Sequence, residues 1–133
     1  MSASILIVED DDMIREMMDV ILTQAGYNVS LAAGGEAALD LLKRSRFKLV
    51  LLDVHMPRVS GLDVLKTMQA LGRTMPPTVM VTANRNAETV GEAMQLGCVG
   101  YVAKPFTPDV LRARVRSALA GPQTPASDKT VYV

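Results

Sequence analysis

Residues 4–26 read SILIVEDDDMIREMMDVILTQAG, and this stretch decides the fold. Ser4 to Val8 is an unbroken apolar, β-branched run, the pattern of a strand covered on both faces. It runs directly into four acids, Glu9, Asp10, Asp11 and Asp12. Beyond them Ile14, Met17, Met18, Ile21, Leu22 and Ala25 recur at the i, i+3, i+4, i+7 spacing of an amphipathic helix. Gly26 then stands where a helix needs a left-handed terminal residue. The stretch is therefore one strand-helix unit whose connecting turn is acidic, with Asp11 or Asp12 capping the helix.

The same unit recurs four more times. Further apolar runs lie at Asn28 to Ala32, Leu49 to Leu52, Thr78 to Val81 and Gly100 to Ala103. Helical periodicity follows in a short segment from Glu36 to Lys43, then at Leu62, Leu65, Met68 and Leu71, at Val90, Ala93 and Met94, and at Leu111, Val115, Ala118 and Leu119. Gly72 and Gly97 again close helices, while Thr107 before Pro108 and Asp109 reads as an N-cap, an N1 proline and a carboxylate on the positive end of the dipole. Five strand-helix units in strict alternation predict a parallel sheet with helices on both faces, because the crossovers are right-handed. The expected class is α/β, a flavodoxin-like doubly wound (βα)5 domain with strand order 2-1-3-4-5. It should span residues 1–119, leaving 120–133 as a linker-like tail.

Composition narrows the function. A chain of 133 residues makes one domain, and 49% apolar residues suffice for a core. Fourteen acids balance fourteen bases, so no global field draws the chain to nucleic acid or anionic membrane, and neither is an expected partner. Cys98 is alone, which excludes an internal disulfide and a multi-cysteine metal site and reads as a buried structural thiol. No apolar run approaches a membrane span, and the acids come too early for a signal peptide, so a cytoplasmic location is expected.

In a doubly wound sheet ligands bind at the carboxyl ends of the strands, where strands 1 and 3 diverge. Glu9 and Asp10 end strand 1, Asp53 ends strand 3, Thr82 ends strand 4 and Lys104 ends strand 5. Three carboxylates brought together repel one another unless a proton or cation neutralises them. A hard divalent ion suits an all-oxygen site, which points to Mg²⁺, or Mn²⁺ in its place. Asp53 directly follows four buried apolar residues, where an unpartnered carboxylate is costly.

Those residues resemble the receiver domain of two-component response regulators, over about residues 4 to 119, in the stand-alone form of the chemotaxis regulators. Ile-Leu-Ile-Val-Glu-Asp at 5–10 is similar to the family's first strand and acidic pair. Leu-Leu-Asp-Val-His-Met-Pro at 51–57 resembles its phosphoacceptor strand, Val-Met-Val-Thr-Ala at 79–83 its switch-hydroxyl strand, and Tyr-Val-Ala-Lys-Pro-Phe at 101–106 its aromatic and lysine positions. The resemblance implies phosphorylation of Asp53 by a sensor histidine kinase or phosphotransfer protein. Mg²⁺ would be held by Asp10, Asp53, the backbone carbonyl of His55 and, through water, Glu9. Lys104 would neutralise a phosphoryl oxygen, while Thr82 and Tyr101 would act as the switch toward a target protein bound by helix 4, strand 5 and helix 5.

A cis Lys104–Pro105 peptide is implied as well, and His55 with Asn84 would tune access and dephosphorylation. Ser60, standing where many members carry an acid before Gly61, is a sound N-cap. Val99 and Gly100 replace the acidic pair that many DNA-binding members use to dimerise, so that charge-paired dimer is not expected.

The residues leave other classes open. A phosphohydrolase working through an aspartyl intermediate could use the same carboxylates, but His55 stands where a leaving-group acid would be wanted. A flavin or nucleotide carrier would need a glycine-rich phosphate loop after strand 1, where this chain has four acids. A receiver that only docks, without phosphorylation, would not need the full set Asp10, Asp53, Thr82 and Lys104. The expected protein is a signalling switch and not a turnover enzyme.

Overall fold

The computed structural model describes residues 3–83 and 87–121. Five strands alternate with five helices: β1 Ser4–Val8, α1 Asp12–Gln24, β2 Asn28–Ala32, α2 Gly35–Arg44, β3 Leu49–Asp53, α3 Gly61–Ala70, β4 Thr78–Thr82, α4 Ala87–Gln95, β5 Cys98–Ala103 and α5 Pro108–Leu119. The strands form one sheet in the order β2-β1-β3-β4-β5, and every pairing is parallel. The expected doubly wound fold is therefore the observed one. The expected tail, 120–133, lies outside the described residues apart from Ala120 and Gly121.

The pleat sorts each strand's side chains to two faces and so makes two cores. Leu6, Val8, Val50, Leu52 and Met80 face α2, α3 and α4, where they meet Ala38, Leu42, Val64, Leu65, Met68 and Ala93. Ile5, Ile7, Leu49, Leu51, Val79, Val81 and Val102 face α1 and α5, against Met18, Leu22, Leu111 and Val115. Burial on both faces is why β1, β3 and β4 read as continuous apolar runs. Cys98 is buried, as expected, and burial pushes its thiol up to about 11.

Local chemistry sets the element ends. Asp11, not Asp12, is the N-cap of α1, its Oδ1 accepting from the Ile14 N–H at 2.9 Å. Ser60 caps α3 in a reciprocal box with Asp63, and Thr107 caps α5 with Pro108 at its start. Gly26, Gly72 and Gly97 take φ of 100°, 69° and 107°, the left-handed exits that their positions predict.

Several boundaries move. β3 and β4 each run one residue further, to Asp53 and Thr82, and β5 starts two residues earlier, at Cys98. A register shift between Thr78 and Val79 accommodates Val99, which stays exposed. Met17, Leu71 and Met94, which the periodicity places on buried faces, are instead exposed.

Candidate functional site: an acidic pocket at the strand ends

The register places the pocket. Val8 pairs with Leu52 and Asp53 with Val81, so Glu9, Asp53 and Thr82 emerge side by side at one end of the sheet. Lys104 follows β5, and its N–H donates to the Thr82 carbonyl at 2.9 Å, tying that loop to the end of β4. The Lys104–Pro105 peptide is cis. Gly61 lets α3 start against the back of the site. A Cβ there would lie 2.4 Å from the Asp53 carbonyl oxygen and 2.9 Å from Val54 Cα, so only glycine fits without a shift. Arg58, in the turn between β3 and α3, has a φ of 68°.

Burial divides the acids. Glu9 is 1% exposed and Asp53 3%, whereas Asp10 is exposed. One ligand oxygen from each of Glu9, Asp10 and Asp53 lies within 4.8 Å of the others. Glu9 Oε2 accepts from the Asp11 N–H at 3.2 Å, and Asp53 Oδ1 accepts from the His55 N–H at 3.2 Å. Lys104 Nζ sits 2.8 Å from Glu9 Oε1 and 3.5 Å from Asp53 Oδ2. Glu9 Oε1 accepts no aligned hydrogen bond, so Lys104 holds it as an ion pair.

One ammonium among three carboxylates leaves an excess of negative charge. Burial first, and then the neighbouring Glu9 charge, push Asp53 up to about 7, against the lowering influence of Lys104 and the His55 N–H. Burial opposes the Lys104 charge, but the contact with Glu9 and the charges of Asp53 and Glu9 outweigh it and raise its pKa above the ordinary lysine value. Three clustered carboxylates and their excess charge fit a hard divalent cation with oxygen ligands.

Each residue singled out at the rim is accounted for. Glu9, Asp10, Asp53 and Lys104 converge, and Thr82 is fully buried beside them at the end of β4. The His55 side chain is exposed, with only its backbone turned to Asp53. Tyr101 is half-buried on β5, packed against the core that faces α4. Asn84 lies outside the described residues. Arg15 is a residue that the sequence reading passed over: its Nη1 donates to the Glu9 carbonyl at 2.9 Å, bracing the acidic turn. A cation one helical turn after the acids was the available signal.

A parallel five-stranded sheet with three carboxylates and a lysine at its carboxyl edge defines an α/β domain whose acidic pocket could hold a cation. The model of the response regulator receiver domain matches residues 5–116. Among curated proteins the chain is 33% identical over 129 residues to the transcriptional regulatory protein AfsQ1 of Streptomyces coelicolor, covering 97% of this chain and 56% of that protein. It is 37% identical over 132 residues to the response regulator MprA of a Mycobacterium species, covering 95% and 57%. The chain thus spans a little over half the length of these relatives. Among solved structures the chemotaxis protein CheY4 of Vibrio cholerae superposes with a TM-score of 0.82 at 31% identity, covering 89% of this chain and 99% of that one. The chain belongs to the response regulator receiver domain family and is a module of two-component signalling. Receivers of this family work as signalling switches, with a kinase on one side and a downstream target on the other. No helix among the described residues is long and apolar enough to cross a membrane.

Proposed function

We propose that this receiver takes a phosphoryl group onto Asp53 from a phosphohistidine of a sensor histidine kinase or phosphotransfer protein, in the cytoplasm, and signals through α4, β5 and α5 to a target protein. The observation that carries the reading is the convergence of Asp53, Glu9, Asp10 and Lys104 in one pocket at the strand ends.

An Asp53 oxygen attacks phosphorus, the donor's P–N bond breaks, and the bonding pair stays on the imidazole nitrogen. Only the ionised carboxylate is a nucleophile, so the pocket must hold Asp53 deprotonated against its burial. The His55 N–H steadies Oδ1 and leaves Oδ2, facing Lys104, to react. Mg²⁺, or Mn²⁺, held by Glu9, Asp10, Asp53 and the His55 carbonyl, would supply charge neutralisation between nucleophile and phosphoryl group. Lys104 is shared between Glu9 and Asp53 and so stands ready to bond a phosphoryl oxygen. Thr82 would bond another, drawing the loop after β4 inward and giving the half-buried Tyr101 room to turn. His55, whose side chain is exposed beside the pocket, would tune the hydrolysis of the acyl phosphate.

The test is transfer from a phosphohistidine protein followed by borohydride trapping and tryptic mapping. The fragment 49–58 contains a single carboxylic acid, Asp53, and should carry the label as homoserine. Label on any other fragment would refute the assignment.

A further inference from the structure

At the pole opposite the acidic pocket, the loop leaving α2 and the loop leaving α3 enclose a cleft of about 670 Å³ beneath the first residues of β3 and β4. Its walls carry four cations, Lys43, Arg44, Arg46 and Arg73, and no acid. Arg44 is paired with Asp40 at 2.6 Å, while Lys43, Arg46 and Arg73 have no ion pair among the described residues. Phe47 and Met75, packed on the core above, give the cleft an apolar floor.

Helix-end electrostatics account for part of this charge. Lys43 and Arg44 lie in the last turn of α2, where cations complement the dipole, and Arg73 Nη2 donates to the Lys43 carbonyl at 3.0 Å. Arg46 lies beyond the helix and has no such role. The bond to Lys43 also spans thirty residues of sequence and fixes the Arg73 guanidinium across the cleft with most of its donors unused. Four cations, three of them without an ion-pair partner among the described residues, lining one cleft of small-molecule size fit a multiply charged oxyanion better than a lone carboxylate. We propose that this cleft is a second binding site, taking a small phosphate-chain anion such as a nucleoside polyphosphate or inorganic polyphosphate. An acidic peptide is the competing occupant, and hexaglutamate stands in for it in the test.

The test is calorimetric titration of the whole chain at roughly physiological salt, without divalent metal so that no ion bridges the probe to the acidic pocket. Inorganic tripolyphosphate, ATP and a hexaglutamate peptide serve as probes. Tripolyphosphate and ATP should each bind saturably at one site, and R46Q and R73Q should each weaken them about tenfold or more. Arg116→Gln, an exposed cation of α5 outside the cleft, should leave the affinity unchanged. ATP binding tighter than tripolyphosphate assigns the floor to a base, and equal affinity assigns the site to the phosphate chain alone. R46Q keeps the test sound if R73Q loosens the end of α2. Absent saturation, equal affinities in all variants, or binding of hexaglutamate alone would overturn the proposal.

Discussion

A single carboxyl, Asp53, is asked to be buried by the sheet and ionised for chemistry, and its raised pKa is the trace of that conflict. The sign fixes a testable pH dependence. With a folded pKa of about 7 and an ordinary value of 3.8, the protonated form is favoured by folding, so this group's contribution to stability is intact below pH 4 and is lost as pH rises through 7. Asp53→Asn should therefore melt several degrees above wild type in metal-free buffer at pH 8, with the gap closing at pH 4. Thermal melts at both values decide it, and a gap that did not change with pH would contradict the burial argument. Mg²⁺ should reverse the penalty, raising Tm more at pH 8 than at pH 5, because a protonated Asp53 is a poor ligand. Asp53 and Lys104 were legible in the sequence from their type and place after apolar runs. That Glu9 would turn inward to the lysine while Asp10 stayed exposed was not, because it depends on the backbone direction leaving β1.

Elements hold these residues in place through their ends. Ser60 and Asp63 cap α3 while Gly61 brings it against the Asp53 carbonyl, so this junction positions the pocket's central residue. Ser60→Ala should cost about 1 kcal/mol in denaturant unfolding, a lost cap and nothing more. Gly61→Ala should cost about 1–3 kcal/mol or more, because its methyl meets backbone and not a flexible side chain. It should also slow phosphorylation, which Ser60→Ala should not. Equal and small effects of the two would show that the close approach is not needed. The caps Ser60 and Thr107 were readable because capping is local chemistry. The exposure of Met17, Leu71 and Met94 was not, since periodicity gives a face but not the width that the sheet covers.

The whole molecule places two cores back to back on one sheet, with the acidic pocket at the carboxyl ends of its strands and a cationic cleft at the other end. Met68→Ala and Leu111→Ala, on opposite faces, should each cost about 2–5 kcal/mol. Together they should add within about 0.5 kcal/mol, and strong non-additivity in chemical denaturation would mean that the sheet does not insulate the two cores. Alternation of strands and helices made the doubly wound class legible. The cleft was hidden because Arg46 and Arg73 lie far apart in sequence and line one cleft only once β3 and β4 are adjacent. In the proposed function the pocket's own residues carry the phosphoryl chemistry to Asp53. Intact mass after incubation with Mg²⁺ and acetyl phosphate or a phosphohistidine protein tests it most directly. Wild type should gain one phosphoryl group that Asp53→Asn and a chelated sample both lack. An equal gain in Asp53→Asn, or no gain from either donor, would contradict it.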